Sequence, residues 1–322
     1  MRVGIIGAGM AGLACAEVLA GQGLDIQLFD KGRGPGGRMS TRRIATSIGV
    51  AAFDHGAQYF TARDPGFLEA VSHWQQRGLV APWPEADAAA WIGVPAMSTV
   101  IGDMAARHKV DFGRHVQSLD LRSDGWHFRF NAGIEGPFDI AIAAAPAEQA
   151  ATLLSLQDFE MARVALRSRS KPCWTGLFAF DERIPADQDI IRDKGIVAWA
   201  ARNSVKPGRE GPETWVVQAH PSWSEAHCED DPSVISDFLF DALATALESA
   251  LPIPIVARVH RWRFAMSNGT GDLALWNSAK GLGVCGDWLH GPRVESAWLS
   301  GHFLAQRIIE TADVVTAPRM IA

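Results

Sequence analysis

The first twelve residues constrain the fold more than any other part of the chain. An apolar run at 3–6 is followed at once by the pattern G-x-G-x-x-G, formed by Gly7, Gly9 and Gly12, and helical apolar spacing continues over 13–20. In a dinucleotide-binding fold, the first glycine permits a tight turn and the second lets a pyrophosphate approach the backbone. The third lets the helix pack close to the strand. An ordinary glycine turn in an α/β sheet is the alternative.

The residues around this turn predict further cofactor contacts. A helix start offers unpaired N–H groups and a positive dipole end to phosphates, so Met10 and Ala11 join the predicted contacts. A second apolar strand at 26–29 ends in Asp30 and Lys31. Asp30 follows the third glycine at roughly the 20-residue distance at which an acidic residue meets a ribose hydroxyl.

A second glycine-rich segment follows the predicted ribose contact. Gly36 and Gly37 precede Arg38, which can donate charge-assisted hydrogen bonds to a phosphate. A flexible Gly/Pro loop is the alternative interpretation. A local basic cluster also lies here, and we interpret it as part of the cofactor site. For Arg42 and Arg43, a solvated basic turn is the alternative. The cluster comprises Arg33, Arg38, Arg42 and Arg43.

Composition describes an ordinary globular protein and excludes several classes. The chain has 322 residues, 48% hydrophobic and 20% charged, which predicts about two domains. Its formal net charge of −6 gives no reason to expect nucleic acid as a partner. The four cysteines lack C-x-x-C spacing, and the histidines lack zincin spacing, so we expect a reduced cytoplasmic protein without a metal. We also expect no signal or transit peptide and no membrane span.

The pattern of elements predicts an α/β fold with two domains. We expect a Rossmann-type dinucleotide-binding domain at 1–62, 96–150 and 268–322, for which the family resemblance given below implies FAD, and an inserted antiparallel-sheet substrate domain at 63–95 and 151–267. Predicted helices span 65–76, 97–108, 232–251 and 293–310. Predicted strands span 50–53, 109–112, 116–121, 126–130, 138–145, 173–180, 196–201, 215–219, 255–263 and 281–287.

Aromatic residues mark the predicted substrate sheet. Its strands contain Trp174, Trp199, Trp215 and Trp262, which suit a wall for a flat, partly apolar substrate. For any single one of these tryptophans, an ordinary core position is the stronger expectation. Tyr59 is the only tyrosine of the chain, and a ligand role and a half-buried packing role are equally open for it.

The last part of the chain carries a second predicted cofactor motif. An apolar strand ends in Gly286 and Asp287, and a helix with an apolar face follows from Arg293. This arrangement resembles that of FAD enzymes in which a helix after a late Gly-Asp points its N-terminus at the flavin. The resemblance implies that the amides near Val294, at the start of that helix, would stabilise the anionic form of a reduced flavin ring. An enzyme that uses only NAD does not need a second motif of this kind.

Taken together, these motifs resemble those of bacterial renalase-like FAD proteins, a branch of the flavin amine oxidase superfamily. The resemblance covers nearly the whole chain. It depends on the opening glycine motif, on Gly36-Gly37-Arg38, and on the segments 54–60, 260–263 and 286–288. It implies noncovalent FAD, with the segment 54–60 beside the flavin ring. The predicted cofactor contacts are Gly7, Gly9, Met10, Ala11, Gly12, Asp30, Lys31, Gly37, Arg38, Gln58, Tyr59, Phe60, Val116, Gly286, Asp287 and Val294.

The renalase branch oxidises isomeric dihydronicotinamide dinucleotides, passing hydride to the flavin and electrons to dioxygen to give hydrogen peroxide. The resemblance therefore implies this activity, which needs orientation of the ring more than acid or base help. Predicted pocket residues are Trp288, Arg263, His290 and Arg293. Amine oxidases often place an aromatic residue where this chain has Arg293, and a cation there would repel an ammonium substrate.

Two other functions stay open from the sequence. The alternative enzyme is a flavin-containing amine oxidase that acts on a small amine. The alternative from another class is a flavin-binding protein without turnover of its own, acting as a redox sensor or structural partner. Pockets of this kind usually serve a reaction, so we favour an enzyme.

Overall fold

The computed structural model describes residues 1–316, with side chains as far as Thr311. Two compact units share these residues. Unit 1 comprises Met1–Gly37, Ile101–Arg169 and the described residues from 267 onward, and unit 2 comprises Arg38–Val100 and Ser170–Met266. Among the described helices, none combines the length and the apolar character that a membrane span requires.

The strands are β1 (Arg2–Ile6), β2 (Asp25–Asp30), β3 (Thr41–Thr46), β4 (Gly49–Asp54), β5 (Phe60–Thr61), β6 (Val80–Pro82), β7 (Ala90–Gly93), β8 (Lys109–Phe112), β9 (Ser118–Arg122), β10 (Gly125–Arg129), β11 (Ile134–Phe138), β12 (Ile140–Ala143), β13 (Ser170–Phe180), β14 (Ile190–Lys194), β15 (Val197–Arg202), β16 (Glu213–Ala219), β17 (Val256–Ser267), β18 (Leu275–Asn277) and β19 (Leu282–Val284). The helices are α1 (Met10–Gly21), α2 (Pro65–Gln76), α3 (Ser98–Ala105), α4 (Ala147–Leu154), α5 (Phe159–Arg167), α6 (Pro221–Ala226), α7 (Pro232–Leu247), α8 (Asp287–His290) and α9 (Val294–Thr316).

Unit 1 is a Rossmann-type layer structure. Its main sheet has the order β18-β19-β12-β1-β2-β8, and every neighbouring pair is parallel except β18 with β19. Strands β1 and β12 are almost entirely apolar and buried, as strands covered on both faces must be. A second sheet, β11-β10-β9, packs its aromatic residues into the same core.

Unit 2 is built around the sheet β14-β15-β16-β13-β17, whose pairs from β14 to β13 are antiparallel. One face packs against α7 through a core that includes Phe178, Trp215 and Leu239. Leu177, Val216 and Val256, on the opposite face, pack against Phe53 of β4. The Rossmann-type fold with an antiparallel-sheet domain is therefore confirmed.

The observed units differ from the predicted domains in three segments and at the single residue Ser267, which belongs to unit 1. Residues 38–62 and 96–100 belong to unit 2, because the hairpin of β3 and β4 packs against the five-stranded sheet. Residues 151–169 belong to unit 1, because α4 and α5 bury residues in its core. The last residues of the predicted domain, 317–322, lie outside the described residues.

Most predicted elements are present within a few residues of their expected bounds. Helix α7 is shorter than predicted, because Glu248 adopts a left-handed conformation and caps the helix end. The predicted hairpin of residues 116–130 forms as the antiparallel pair β9 and β10. The elements that were not predicted are strands β3, β5, β6, β7, β11, β14 and β18 and helices α4, α5, α6 and α8.

Candidate functional site

The opening motif of unit 1 forms a cradle made of backbone. Gly7 has a φ of +106°, and a Cβ there would lie 2.3 Å from the Ala144 carbonyl oxygen. A Cβ on Gly12 would lie 2.0 Å from the Gly7 oxygen, whereas a Cβ on Gly9 would meet nothing within 4 Å. The turn is thus closed beneath the first and third glycines and open above the second, which fits an approaching pyrophosphate.

The start of α1 adds hydrogen-bond donors to this cradle. Gly9 is the N-cap residue and has an extended backbone, and no side chain caps the helix there. The first amides of α1 therefore have no capping side chain as a partner, and the positive end of the helix dipole faces the same place. The side chains of Met10 and Ala11 are buried, so their predicted contribution is through the backbone.

Asp30 lies at the end of β2 and is held in place by two backbone amides. Its Oδ2 accepts from the Ala8 amide at 2.8 Å, and its Oδ1 accepts from the Gly32 amide at 2.6 Å. An ionised carboxylate has about four acceptor positions, so a ribose hydroxyl can still bind. The next residue, Lys31, is exposed.

One residue of the second glycine-rich segment, Gly37, lies close to the opening motif. A Cβ on Gly37 would lie 3.8 Å from the Cα of Gly9, so Gly37 extends the cradle. We call Gly7, Gly9, Gly12 and Gly37 the glycine cradle. Arg38 is the first residue of unit 2, where its Nη1 donates to the Ala265 oxygen at 3.2 Å.

The late Gly-Asp motif belongs to the same unit as the cradle. The Gly286 amide donates to the Ser300 Oγ at 2.9 Å, and Asp287 opens α8 as a buried residue. Helix α9 begins at Val294 and packs closely on α1, since a Cβ on Gly301 would lie 2.0 Å from the Ala11 oxygen. Unit 1 therefore carries both predicted cofactor motifs, and the close packing of α9 on α1 links them.

In unit 1, the predicted pocket residue Trp288 and the predicted cofactor contact Val116 are both core packing residues. Trp288 is buried in the core and its Nε1 donates to the Ala145 oxygen at 3.0 Å. Val116 is buried in the same core.

The other two predicted pocket residues of unit 1, His290 and Arg293, are exposed. The Arg293 guanidinium lies 3.9 Å from the buried Glu295 carboxylate. Its positive charge is thereby partly balanced, which weakens the argument that it repels ammonium substrates.

Unit 2 contains a buried acid–base network around Asp54, at the end of β4. Asp54 Oδ1 accepts from Thr41 Oγ1 at 2.7 Å and from the Met97 amide at 3.0 Å. Asp54 Oδ2 accepts from Arg209 Nη2 at 2.5 Å and lies 3.5 Å from Lys206 Nζ. The network also includes Gln58, whose Oε1 accepts from Lys206 at 3.1 Å.

Opposing effects set the charges in this network, which we call the Asp54 network (Thr41, Asp54, Gln58, Lys206 and Arg209). Burial alone would raise the pKa of Asp54, but the positive charges of Lys206 and Arg209 lower it to about 2. Burial lowers the pKa of Lys206 to about 8, against the attraction of Asp54. At neutral pH the carboxylate is ionised and the ammonium group is mostly protonated.

The Asp54 network fixes the segment that was predicted to lie beside the flavin. Gln58 Nε2 donates to the Asp54 and Gly56 oxygens, and Lys206 Nζ donates to the Gln58 oxygen at 3.2 Å. Tyr59 is half-buried, and its ring contacts Trp199 at 5.5 Å between centroids. Phe60 is buried against Phe67. The segment is therefore a rigid element of unit 2.

The motif His260-Arg261-Trp262-Arg263 is divided between the two faces of β17, because successive strand residues alternate. The Arg263 guanidinium pairs with Glu229 at 2.5 and 2.8 Å, and Arg261 also pairs with Glu229 at 3.1 Å. The predicted pocket residue Arg263 is thus exposed and bound to a carboxylate, on the face opposite His260 and Trp262.

His260 and Trp262 meet His55 in a compact group that we call the imidazole–indole cluster. Ring centroids of His260 and Trp262 lie 4.3 Å apart, and those of His55 and His260 lie 4.9 Å apart. Trp262 Nε1 donates to the His55 oxygen at 2.8 Å. Burial and the charge of Arg42 lower the pKa of His260 to about 4, and the same causes together with His260 lower that of His55 to about 4.

The four tryptophans of the predicted substrate sheet lie in three separate places, of which the imidazole–indole cluster holds Trp262. Trp174 and Trp215 lie in the core beneath α7, as expected for most of them. Trp199 belongs to a second aromatic group, with the Arg192 guanidinium 4.4 Å from its ring centre. Its Nε1 is buried and has no hydrogen-bond partner among the described residues.

Lys206, Arg209 and Asn203 were missed by the sequence analysis. They lie about 150 residues after the Asp54 segment in the chain, and no local pattern pairs them with it. The side-chain amide of Asn203 makes two hydrogen bonds to the backbone of β4. Its Nδ2 donates to the Ala52 oxygen at 2.9 Å, and its Oδ1 accepts from the Asp54 amide at 3.4 Å. A Lys-Pro-Gly-Arg turn at 206–209 was the only local signal.

Comparison with known proteins identifies the fold and the family. Residues 5–73 match an NAD(P)-binding Rossmann-like domain, and residues 85–309 match the flavin containing amine oxidoreductase family. A 43-residue stretch is 49% identical to a zeta-carotene-forming phytoene desaturase of Myxococcus xanthus, covering 13% of this chain and only 8% of the desaturase.

Two solved structures share the fold at low sequence identity. Wild-type putrescine oxidase bound to putrescine has a TM-score of 0.72 at 12% identity, with 96% of this chain and 99% of that chain covered. Cyclohexylamine oxidase from Brevibacterium oxydans IH-35A has a TM-score of 0.70 at 13% identity, with 97% and 99% covered. Together with the glycine cradle, the family match confirms FAD as the cofactor and an FAD-dependent oxidoreductase as the enzyme class. The chain belongs to the flavin-containing amine oxidoreductase family.

Proposed function

We propose that this protein is an oxidase of isomeric dihydronicotinamide dinucleotides, using FAD and passing electrons to dioxygen to form hydrogen peroxide. The observation that carries the proposal is the charge distribution in unit 2. Arg42 lies close enough to act on the pKa of both imidazoles of the imidazole–indole cluster, and Arg192 lies over Trp199. Asp54 is buried and already paired with two cations.

This distribution suits an uncharged flat ring that carries an anionic diphosphate. Arginine side chains bind phosphate groups well, and aromatic side chains bind flat rings. An ammonium substrate would instead need a carboxylate or an aromatic cage without neighbouring cations. The unpartnered Nε1 of Trp199 adds a donor for an acceptor atom of such a substrate.

The residues of unit 1 would hold the cofactor, which accepts hydride from the substrate and passes electrons to oxygen when bound. The glycine cradle and the start of α1 bind the pyrophosphate, and Asp30 binds the ribose. Asp287 and the start of α9 bind the flavin end of the cofactor. The contribution of unit 2 is to orient the substrate ring and to fix the 54–60 segment through the Asp54 network.

A small-amine oxidase is the second candidate function. The family match and the balance of Arg293 by Glu295 favour it. Arg293→Ala separates the two functions at this position. If Arg293 contributes to selection, the variant loses dinucleotide turnover or gains amine turnover, and a variant with neither change would remove the argument from Arg293.

The decisive test is anaerobic mixing of the flavin-loaded enzyme with two panels of substrates, followed by flavin absorbance. We expect rapid bleaching by isomeric dihydronicotinamide dinucleotides and none by simple primary and secondary amines. Readmission of oxygen should restore the absorbance and release one hydrogen peroxide per flavin. Bleaching by amines alone would replace the proposal by the amine oxidase.

A further inference from the structure

We propose that the imidazole–indole cluster of unit 2 is the subsite for the substrate ring, selecting an uncharged dihydropyridine ring that carries a carboxamide. The inference rests on the proposed function and names the groups that would recognise its substrate. The cluster joins residues of two segments, 54–60 and 260–263. Both segments contribute to the family resemblance, but the resemblance assigned no role to His55 or His260.

The geometry of the cluster suits a flat ligand. The His260 ring stands at 70° to Trp262 and at 87° to His55, whereas His55 and Trp262 are tilted by only 31°. A ligand ring that follows the plane of Trp262 would therefore bring its edge substituent to the His260 imidazole. His260 and Trp262 are half-buried, and His55 lies behind them as a buried residue.

The cluster is held in place from behind. Trp262 Nε1 donates to the His55 backbone oxygen at 2.8 Å, which fixes the indole plane. His55 Nε2 lies 3.4 Å from the Ser40 Oγ. The His55 segment is anchored in turn by Gln218, whose Nε2 donates to the Gly56 oxygen at 2.7 Å. These supports restrict the orientation of the rings before a ligand binds.

The protonation state of the cluster determines which substituent it can recognise. A neutral imidazole has one donor and one acceptor nitrogen, whereas an imidazolium has two donors. Burial and the nearby Arg42 keep both imidazoles neutral at physiological pH. A carboxamide offers a carbonyl acceptor and an amino donor, which matches a neutral imidazole. The same positive surroundings disfavour an ammonium ligand.

Strand β17 supplies a matched control. Arg261 lies between His260 and Trp262 in the chain but on the opposite face, where its guanidinium donates to the Cys228 oxygen and pairs with Glu229. A change there tests whether any alteration of the strand affects binding. The probe ligands are 1,4,5,6-tetrahydronicotinamide adenine dinucleotide, whose ring is uncharged and cannot donate hydride to the flavin, and its analogue with a 3-acetyl group, which keeps the carbonyl acceptor but lacks the amino donor.

The test is a binding titration of the flavin-loaded enzyme, followed by protein fluorescence. We expect His260→Leu to weaken dinucleotide binding by about tenfold and to abolish the preference over the 3-acetyl analogue, as expected for loss of a hydrogen bond of about 1.4 kcal/mol. His260→Gln keeps one donor and one acceptor and should retain most of the affinity. Trp262→Phe should give an intermediate loss, and Arg261→Lys no change.

The outcomes separate this inference from the proposed function. Unchanged binding in both His260→Leu and Trp262→Phe, or no dinucleotide binding by the wild type, would overturn the subsite. If dihydronicotinamides reduce the wild-type flavin while these variants bind normally, the function stands and the subsite falls. If the wild type is not reduced but binding depends on His260, the subsite stands and the function falls. Flavin content and urea unfolding of each variant show whether it is folded.

Discussion

The two polar centres of this protein are built in opposite ways. In unit 1, the glycine cradle is made of backbone, and the absence of side chains opens the space above Gly9. In unit 2, the Asp54 network is made of side-chain charges, all of them buried. The cradle would acquire its main charge only when a phosphate binds, whereas the network holds one carboxylate between two cations within the folded protein.

The difference predicts different kinds of sensitivity. A cradle made of backbone should be damaged when a side chain is added to one of its glycines. Where the added group would meet open space, we expect the damage to affect cofactor binding rather than stability. A buried charge network should fail when one partner is removed, because the remaining charges stay buried without compensation.

Asp54→Asn should have the largest effect on stability. The substitution keeps the shape of the side chain but leaves the buried Lys206 and Arg209 without their carboxylate. We expect the free energy of unfolding in urea to fall by about 3–5 kcal/mol. Adding Lys206→Met to the variant should restore part of the loss.

A matched control for this variant is available in the same unit. Asp64 is a half-buried aspartate that caps α2 by accepting from the Gly66 and Phe67 amides. Asn is about as good a helix cap as Asp, so Asp64→Asn should change stability by less than about 0.5 kcal/mol. Equal effects of the two Asp→Asn changes would contradict the importance of the buried network.

Gly12→Ala and Gly9→Ala should separate folding from cofactor binding. The new methyl group of Gly12→Ala would overlap the Gly7 backbone oxygen, so we expect a loss of about 1–3 kcal/mol in the apo-protein. The methyl group of Gly9→Ala enters open space and should leave the apo-protein unchanged. It should nevertheless weaken FAD binding by about tenfold, or about 1.4 kcal/mol, by obstructing the pyrophosphate.

Thermal unfolding of the apo-proteins and FAD titration measure the two effects independently. The prediction requires that Gly9→Ala differ from the wild type in the titration but not in unfolding. A Gly9→Ala protein that binds FAD normally would show that the pyrophosphate does not approach this glycine.

The contrast also explains what the sequence could predict. The cradle residues and Asp30 lie within a short stretch whose glycine spacing has a specific physical cause, and the structure gives each glycine its expected surroundings. Gly286 and the helix from Val294 were also predictable from a local pattern, here the end of an apolar strand followed by a helix. Their roles in binding stay predictions.

Residues whose role depends on distant partners were less predictable. Nothing near Lys206 indicates that it meets Asp54, about 150 residues earlier, and the pairing depends on how β3, β4 and the five-stranded sheet pack. Trp288 was interpreted as a pocket residue because it follows a cofactor motif, but its indole fills the core. Arg263 was predicted without the strand alternation that places it beside Glu229.

The imidazole–indole cluster should make stability depend on pH in a narrow window. The pKa of His55 and of His260 is lowered from 6.5 to about 4, so the unfolded chain binds protons that the folded chain does not. The free energy of unfolding should therefore fall as the pH is lowered from about 6.5 towards 4, and this effect should vanish above 6.5. Burial is the largest cause at both histidines, and Arg42 also lowers both pKa values. His260 further lowers the pKa of His55, against a backbone hydrogen bond with Phe53 and the charge of Asp54.

Urea unfolding at pH 7.5 and pH 5 tests this dependence. Asp54 contributes above its unfolded pKa of 3.8 and loses its contribution only as the pH falls towards 2, and Lys206 changes only above about 8. The chosen window therefore excludes both. His108 also has a lowered pKa, so the double variant His55→Gln/His260→Gln serves as the control. An unchanged slope in that variant would assign the dependence to other groups.

Arg192→Gln should have the smallest effect, because it removes an exposed contact rather than a buried charge. The guanidinium lies 4.4 Å from the centre of the Trp199 ring and donates to the Ala86 oxygen. A cation–π contact at an exposed site stabilises by about 0.5–1 kcal/mol, and we expect a loss of that size in urea unfolding. Arg258→Gln is the matched control, since the exposed Arg258 donates to the neighbouring Ala257 oxygen. If Arg192→Gln destabilises as strongly as Asp54→Asn, the division between a buried network and weak surface contacts would not hold for unit 2.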